Sequence, residues 1–234
     1  MPLQNLAKTN EYWRGNKKLW NYLKQIKQYD PDPYYVNYFF NEYIISIDNI
    51  INGIFEEANR DFGLFILKNI SEQKFYEKAK QKNDKNALRF LEWFSIKYIE
   101  EHKNSYPDFM KKICQFKNKF KKLPEIKIMI RASDRYKDDI NQQIKVNLNH
   151  GKLRSKEELD IEIKRQLPIF LEIINHKRNI KNEPKVRENQ TIATTCIDIE
   201  DYKNIEIMYA SKIYMPVMKR LINESRKKIK ELTR

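Results

Sequence analysis

PDPYYVNYFFNEYIISIDNIINGIFEEANRDFGLF, residues 31–65, is the most apolar and aromatic run in an otherwise polar chain. Two Asp-Pro steps, Asp30-Pro31 and Asp32-Pro33, stop whatever precedes it, because proline cannot continue a helix and drives the residue before it out of the helical region. Asp32 is then placed to cap a new helix, with Pro33 at a first position where a missing N–H is harmless. Val36, Phe39, Phe40, Tyr43, Ile47, Ile50, Ile51 and Ile54 recur at three/four spacing. Tyr35, Tyr38, Ile44, Ile45 and Phe55 widen the apolar surface to most of the circumference, which predicts a buried central helix. Asn37, Asn41, Glu42, Asp48, Asn49 and Asn52 interrupt the run, so it does not read as a membrane span, which needs about 20 mostly apolar residues. Glu42 and Asp48 are the expected buried acids; each calls for a basic partner, structural pairing being the ordinary reading of such a group.

Outward from this helix, the composition points the same way. The chain has 234 residues and only 4 glycines. Phosphate-binding loops, dinucleotide folds and multi-hairpin sheets need glycine at fixed positions, so all are disfavoured. The 2 cysteines, Cys114 and Cys196, lack metal-ligand spacing, and no signal peptide is evident. A reduced, cytoplasmic protein without metal or cofactor is expected, and no membrane partner. The net charge of +14, from 46 basic and 32 acidic side chains, suggests an anionic partner, RNA or DNA. The abundance of Lys, Asn and Ile together also fits a coding bias, which would leave the charge incidental.

The fold class expected is all-α: a multi-helix bundle with at most one short two-stranded ribbon. Residues 10–29 form a first amphipathic helix whose buried face carries Trp13, Leu19, Trp20, Leu23 and Ile26. Base stacking is the alternative use of its indoles. Ser71 starts another helix. Asp84 or Asn86 caps the next, with Leu88, Leu91, Phe94, Ile96 and Ile99 as its core face. A helix opening at Tyr106-Pro107 buries Met110, Ile113, Phe116 and Phe120. The ribbon pairs residues 126–131, where Ile126, Ile128 and Ile130 alternate with other residues, with TIATTCIDI, residues 191–199. Ser155 and Glu158 make a capping box for a long helix through Pro168. Asp201 begins the last helix, which continues past Pro216. A soft boundary near 122–125 separates an N-terminal bundle, 1–122, from a C-terminal helical extension, 123–234, packed on it.

Residues 30–105 resemble the HEPN superfamily of small helical bundles. The resemblance rests on the acidic-proline run Asp30-Pro31-Asp32-Pro33, the aromatic helix with Tyr38, Phe39, Phe40 and Ser46, the segment Phe75-Tyr76-Glu77, and a further helix with Leu91-Glu92-Trp93-Phe94. It implies either a ribonuclease or a non-catalytic binder, and a tendency to homodimerise, for which an exposed apolar patch near Tyr34–Tyr43 would serve. In the family a helical Arg and a His hold a phosphate and move a proton. Lys97 and His102 fall at that spacing here, with Lys97 where the family has Arg and Tyr98 where it has a polar residue. They are the candidate catalytic pair.

Other chemistry is thinner. Pro107-Asp108 with Glu125-Ile126-Lys127 matches a metal-dependent nuclease pattern, but Glu-x-Lys recurs at Glu72, Glu101, Glu162 and Glu183, so the match carries little information. Asp134, Asp138 and Asp139, and the pair Glu172 and His176, show helical carboxylate or ligand spacing without a third ligand. The basic helices carry more. Lys111, Lys112, Lys117, Lys119, Lys121 and Lys122 crowd one helix with no acid after Asp108. Lys219, Arg220, Arg226, Lys227 and Lys228 crowd the last. These are the expected nucleic-acid contacts of a non-catalytic, RNA-binding module; a HEPN-like ribonuclease and an oligomeric interaction protein are the alternatives.

Overall fold

The structure is a computed structural model that describes residues 17–67, 70–132, 142–144 and 156–234. Trp13, the group Asp134, Asp138 and Asp139, and Ser155, the expected cap, lie outside the described residues. The protein is mainly helical, with a small antiparallel sheet. Helix α1 covers 17–29, α2 Pro33–Asp61, α3 Glu72–Gln81, α4 Lys85–Glu101 and α5 Ser105–Phe120. Strands β1 (Ile126–Ala132) and β2 (Gln142–Ile144) precede α6 (Lys156–Ile180). A 3₁₀ turn, Glu188–Gln190, leads into β3 (Thr191–Ile199) and β4 (Tyr202–Glu206), and α7 (Ile207–Leu232) closes the chain.

Helix α2 forms as its sequence dictates. The Asp32 carboxylate accepts from the N–H groups of Tyr34 at 3.0 Å and Tyr35 at 3.4 Å, and Pro33 follows it. Gly63, at φ 61°, takes the left-handed position just past the helix end. Val36, Phe40, Tyr43, Ile44, Ile47, Ile50, Ile54 and Phe55 are buried. Phe55 meets Phe75, Phe90 and Phe94 with ring centroids 5.0–6.3 Å apart, which ties α3 and α4 to α2. On the other side the Tyr43 hydroxyl donates to the Ser211 carbonyl at 2.9 Å, so α7 lies against α2. One apolar core runs from Leu19 through Ile229 and includes Ile197 and Ile199 of β3. Among the described residues, no helix is long and apolar enough to cross a membrane.

The sheet is larger than the expected ribbon. β1 and β3 pair antiparallel, with Ile128 opposite Thr195 and Ile130 opposite Ala193. The order is β2-β1-β3-β4, three main strands and a three-residue edge strand. β4 replaces the first turn expected of the last helix. Glu200 at φ 47° turns the chain back on itself, and Asn204 donates its N–H to Asp198 at 2.8 Å, so residues 202–206 pair with β3 before α7 starts. Ile128, Ile130 and Ala132 face a second apolar cluster with Leu159, Phe170 and Ile174 of α6 and Val186. The polar loop after α6 is laced to it: Asn175 exchanges two hydrogen bonds with the Val186 backbone at 2.7 and 3.0 Å, and Arg178 donates to the Pro184 carbonyl at 2.8 Å.

Four expected core positions are instead exposed. Trp20 is 50 % exposed, because the buried strip of α1 is Leu19, Leu23 and Ile26. In α4 the buried strip is Ala87, Phe90 and Phe94, which leaves Ile96 at 54 % and Ile99 at 60 %. Phe120, at the end of α5, is 49 % exposed. Tyr34 and Tyr38 are also exposed, so the outer face of α2 is open where a buried helix was expected.

The turn between α1 and α2 is pinned to the sheet by Asp30. Thr194 and Thr195 are neighbours in a strand and point to opposite faces. Both hydroxyls nevertheless donate to the Asp30 carboxylate, at 2.7 and 2.6 Å, and the Thr195 N–H donates to it at 2.7 Å. The carboxylate therefore lies in the plane of the sheet, on the edge of β3 just past the point where β4 leaves at Glu206. Burial raises the Asp30 pKa, while these three hydrogen bonds and Arg131 oppose that rise. Asp30→Ala would strand three buried donors and is expected to cost about 2–4 kcal/mol of stability. Asp30→Asn keeps an acceptor in place and is expected to cost less. Urea denaturation midpoints at constant m-value check both.

Candidate nucleic-acid interface

The basic residues of α5 divide into two halves. Near the start of the helix, Asp108 lies 3.5 Å from Lys111 and 3.7 Å from Lys112, and Glu200 pairs with Lys112 at 2.8 Å. The Tyr202 hydroxyl also donates to Asp108 at 2.9 Å. These lysines are neutralised where they stand. The distal half differs. Among the described residues no carboxylate sits within ion-pair distance of Lys117, Lys119, Lys121 or Lys122, and the last three are exposed. The Lys119 ammonium lies 5.1 Å from the centroid of the Phe120 ring, which itself packs on Phe116 at 4.5 Å. Lys121 takes a left-handed conformation, φ 59°, as the helix ends. The result is a cationic tip bearing one open aromatic ring.

Helix α7 divides similarly. Arg220 grips Glu101 in a two-pronged ion pair, at 2.9 and 2.6 Å to one oxygen. Arg226 meets Glu57 at 3.2 Å and Lys228 meets Glu231 at 2.8 Å. Lys219 and Lys227 are exposed and make no ion pair among the described residues. Of the expected basic contacts on this helix, three serve internal pairing and two project outward.

The two expected buried acids are only half-buried. Asp48 sits beside α5, where Asn118 hydrogen-bonds to it and Lys117 and Lys121 attract it; burial nonetheless raises its pKa. The Glu42 carbonyl accepts from the Ser46 hydroxyl at 2.9 Å, and its carboxylate faces Tyr22, whose pKa it helps to raise after burial.

Lys97 and His102 turn to different neighbours. The Lys97 ammonium bridges Glu101 at 3.2 Å and Glu224 at 2.9 Å. His102 is 3 % exposed. Its Nδ1 lies 2.6 Å from the Tyr98 carbonyl, and its Nε2 lies 2.7 Å from the Tyr214 hydroxyl. A carbonyl can only accept, so Nδ1 carries the proton and Nε2 accepts from Tyr214. Both ring nitrogens are engaged, and the ring packs against Tyr98, tilted by 35° with centroids 4.1 Å apart. Burial holds the imidazole below its ordinary pKa. This is the geometry of a clasp between the end of α4 and α7.

The remaining motifs do not converge. Asp108 is bound as described, Lys127 pairs with Asp198, and Glu125 is exposed ahead of β1. Glu172 and His176 are exposed on α6. Among the described residues, no group of three or more His, Cys, Asp or Glu side chains could hold a metal ion. Both cysteines are buried free thiols, and burial pushes the Cys196 thiol up to about 12, so it stays protonated and unreactive at neutral pH.

Comparison of the chain with models of known protein families, with curated proteins and with solved structures returns no match. The functional reading therefore stands on the residues alone. Trp20, expected on the buried face with base stacking as the alternative, stands open on α1, with the Lys24 ammonium 5.5 Å from its ring. The available signal was the absence of any acid between residues 17 and 29, where Lys17, Lys18, Lys24 and Lys27 lie.

The His102 clasp carries a pH signature. A histidine whose folded pKa is lowered binds a proton more readily once unfolded, at its ordinary value of about 6.5. Its contribution is complete above that value and is lost as pH falls toward the folded pKa. Thermal melts between pH 8 and pH 5 are expected to show the midpoint falling in the acid range. His102→Gln is expected to lower the midpoint at pH 8 and to flatten that fall.

Proposed function

We propose that the protein is a non-catalytic nucleic-acid-binding module, with RNA as the expected polymer, acting in the cytoplasm. The contact we assign is the distal end of α5, which carries Lys117, Lys119, Lys121 and Lys122 together with the open Phe120 ring, with Lys219 and Lys227 of α7 as further cations. The observation that carries this reading is the segregation of charge. Acids pair directly with the proximal lysines of α5 and the arginines of α7, whereas among the described residues the four lysines of the α5 tip make no ion pair and share only the half-buried Asp48, which attracts Lys117 and Lys121. Unpaired lysines along a polyanion release condensed counterions, and an adjacent ring adds a stacking surface. A cation-rich helix C-terminus also answers the helix dipole, but that effect needs one charge in the last turn rather than four and has no use for an exposed phenylalanine.

The proposed role is that of the non-catalytic binders among helical bundles of the HEPN kind, which residues 30–105 resemble. With the His102 ring engaged at both nitrogens, single-stranded RNA incubated with the protein is expected to stay intact.

Fluorescence anisotropy on a labelled RNA 20-mer tests the assignment. Binding is expected at about 50 mM salt and should weaken with a log–log slope near −3, about −0.7 for each of four phosphates. The exposed triple reversal Lys119→Glu, Lys121→Glu, Lys122→Glu is expected to weaken binding at least about tenfold, three charge reversals each exceeding a lost phosphate contact. No shift of either RNA or DNA at that salt overturns the proposal.

A further inference from the structure

Helix α1 carries a second cationic surface of a different kind. Lys17, Trp20, Lys24 and Lys27 follow one another at steps of three, four and three, which sets all four on one strip of the helix. The strip adjoins the buried line of Leu19, Leu23 and Ile26, so it is held rigidly by the core without being part of it. All four of its residues are exposed, and between residues 17 and 29 no carboxylate interrupts the lysines. Half of the Trp20 side chain is in water, an unfavourable place for so large an apolar ring. The Lys24 ammonium already lies 5.5 Å from the ring centroid, in reach of its π face.

We propose that this strip is a stacking platform for an unpaired base of single-stranded nucleic acid, Trp20 taking the base and Lys17, Lys24 and Lys27 taking the flanking phosphates. The proposal rests on the nucleic-acid reading above and adds to it the strand type and a specific side chain. A flat ring can stack only on a base whose face is free, and a duplex hides those faces. The lysines argue for this occupant over a protein. Lysine is depleted at the centre of protein interfaces, whereas here each helical neighbour of the ring along the strip is a lysine. A second copy of the chain would bring two such strips of like charge together. A lipid surface would need an apolar helix face to enter it, and the apolar face of α1 is spent on the core.

Labelled oligo(rU), oligo(dT) and a matched RNA duplex, titrated against the wild type, Trp20→Ala, Trp20→Phe and the α5 triple reversal, separate the possibilities. Trp20→Ala is expected to weaken binding of the single strands on the order of tenfold, as loss of one base–aromatic stack does, while leaving duplex binding unchanged. Trp20→Phe is expected to restore most of the loss. Preference for oligo(rU) or for oligo(dT) names the polymer, and either supports the platform. Single-strand affinity unchanged in Trp20→Ala, with binding still lost in the triple reversal, overturns the platform and leaves the α5 reading standing. Equal loss toward single strands and duplex overturns it too. A Trp20→Ala variant altered only in self-association or in retention on anionic vesicles assigns the strip to a protein or lipid surface instead. A wild type that binds none of the three probes removes both proposals.

Discussion

One carboxylate pins the turn between α1 and α2 to the sheet. Asp30 directly follows α1 and stands two residues before the cap of α2, so its position determines how both helices meet the sheet. Taking a carboxylate out of water is costly, and the rise in its pKa records that cost. The expense is met by three short hydrogen bonds from Thr194 and Thr195, which need partners of their own once buried. Because the two threonines face opposite ways, the carboxylate has one place to sit. Helix and strand are thereby fixed relative to each other in angle as well as distance. The same position closes the exposed edge of β3 beyond β4 with an acceptor, which cannot extend the ladder as another strand would.

Much of the fold could be read from local chemistry. Asp32 before Pro33, Ser71 and Asp84 each cap the helix they precede, because a side-chain oxygen and a following run of helix formers are all that a cap needs. The alternation in 126–131 and the β-branched run 191–199 became neighbouring strands. β4 was not legible, because YKNIE has no pattern of its own; it is a strand only because the turn at Glu200 lays it against β3. Ile96, Ile99 and Trp20 were misplaced for a related reason. Periodicity marks apolar residues on a helix, but which of two adjacent strips turns inward depends on where the neighbouring helices lie.

The candidate site was legible in kind and blurred in detail. Counting charges located both basic helices. It could not show that Glu101 and Glu57, from α4 and α2, meet the arginines of α7, since those pairs join residues more than a hundred positions apart. Subtracting them is what turns a generally basic protein into one with a defined cationic tip. His102 illustrates the converse. Its spacing from Lys97 suggested chemistry, while its partner Tyr214 lies 112 residues away and makes it part of the core.

The two apolar clusters have a consequence for how the molecule moves. The larger one binds α1–α5, α7 and the start of the sheet into one body, whereas α6 rests on a smaller cluster with Ile128, Ile130, Ala132 and Val186. Opening a small contact surface takes less free energy than opening a large one, and regions of native proteins open in such contiguous units. α6 is thus the layer through which the chain can breathe while the bundle holds its shape. The cationic tip of α5 and the indole of α1 are both mounted on the body that stays closed, so their spacing is preserved while α6 opens.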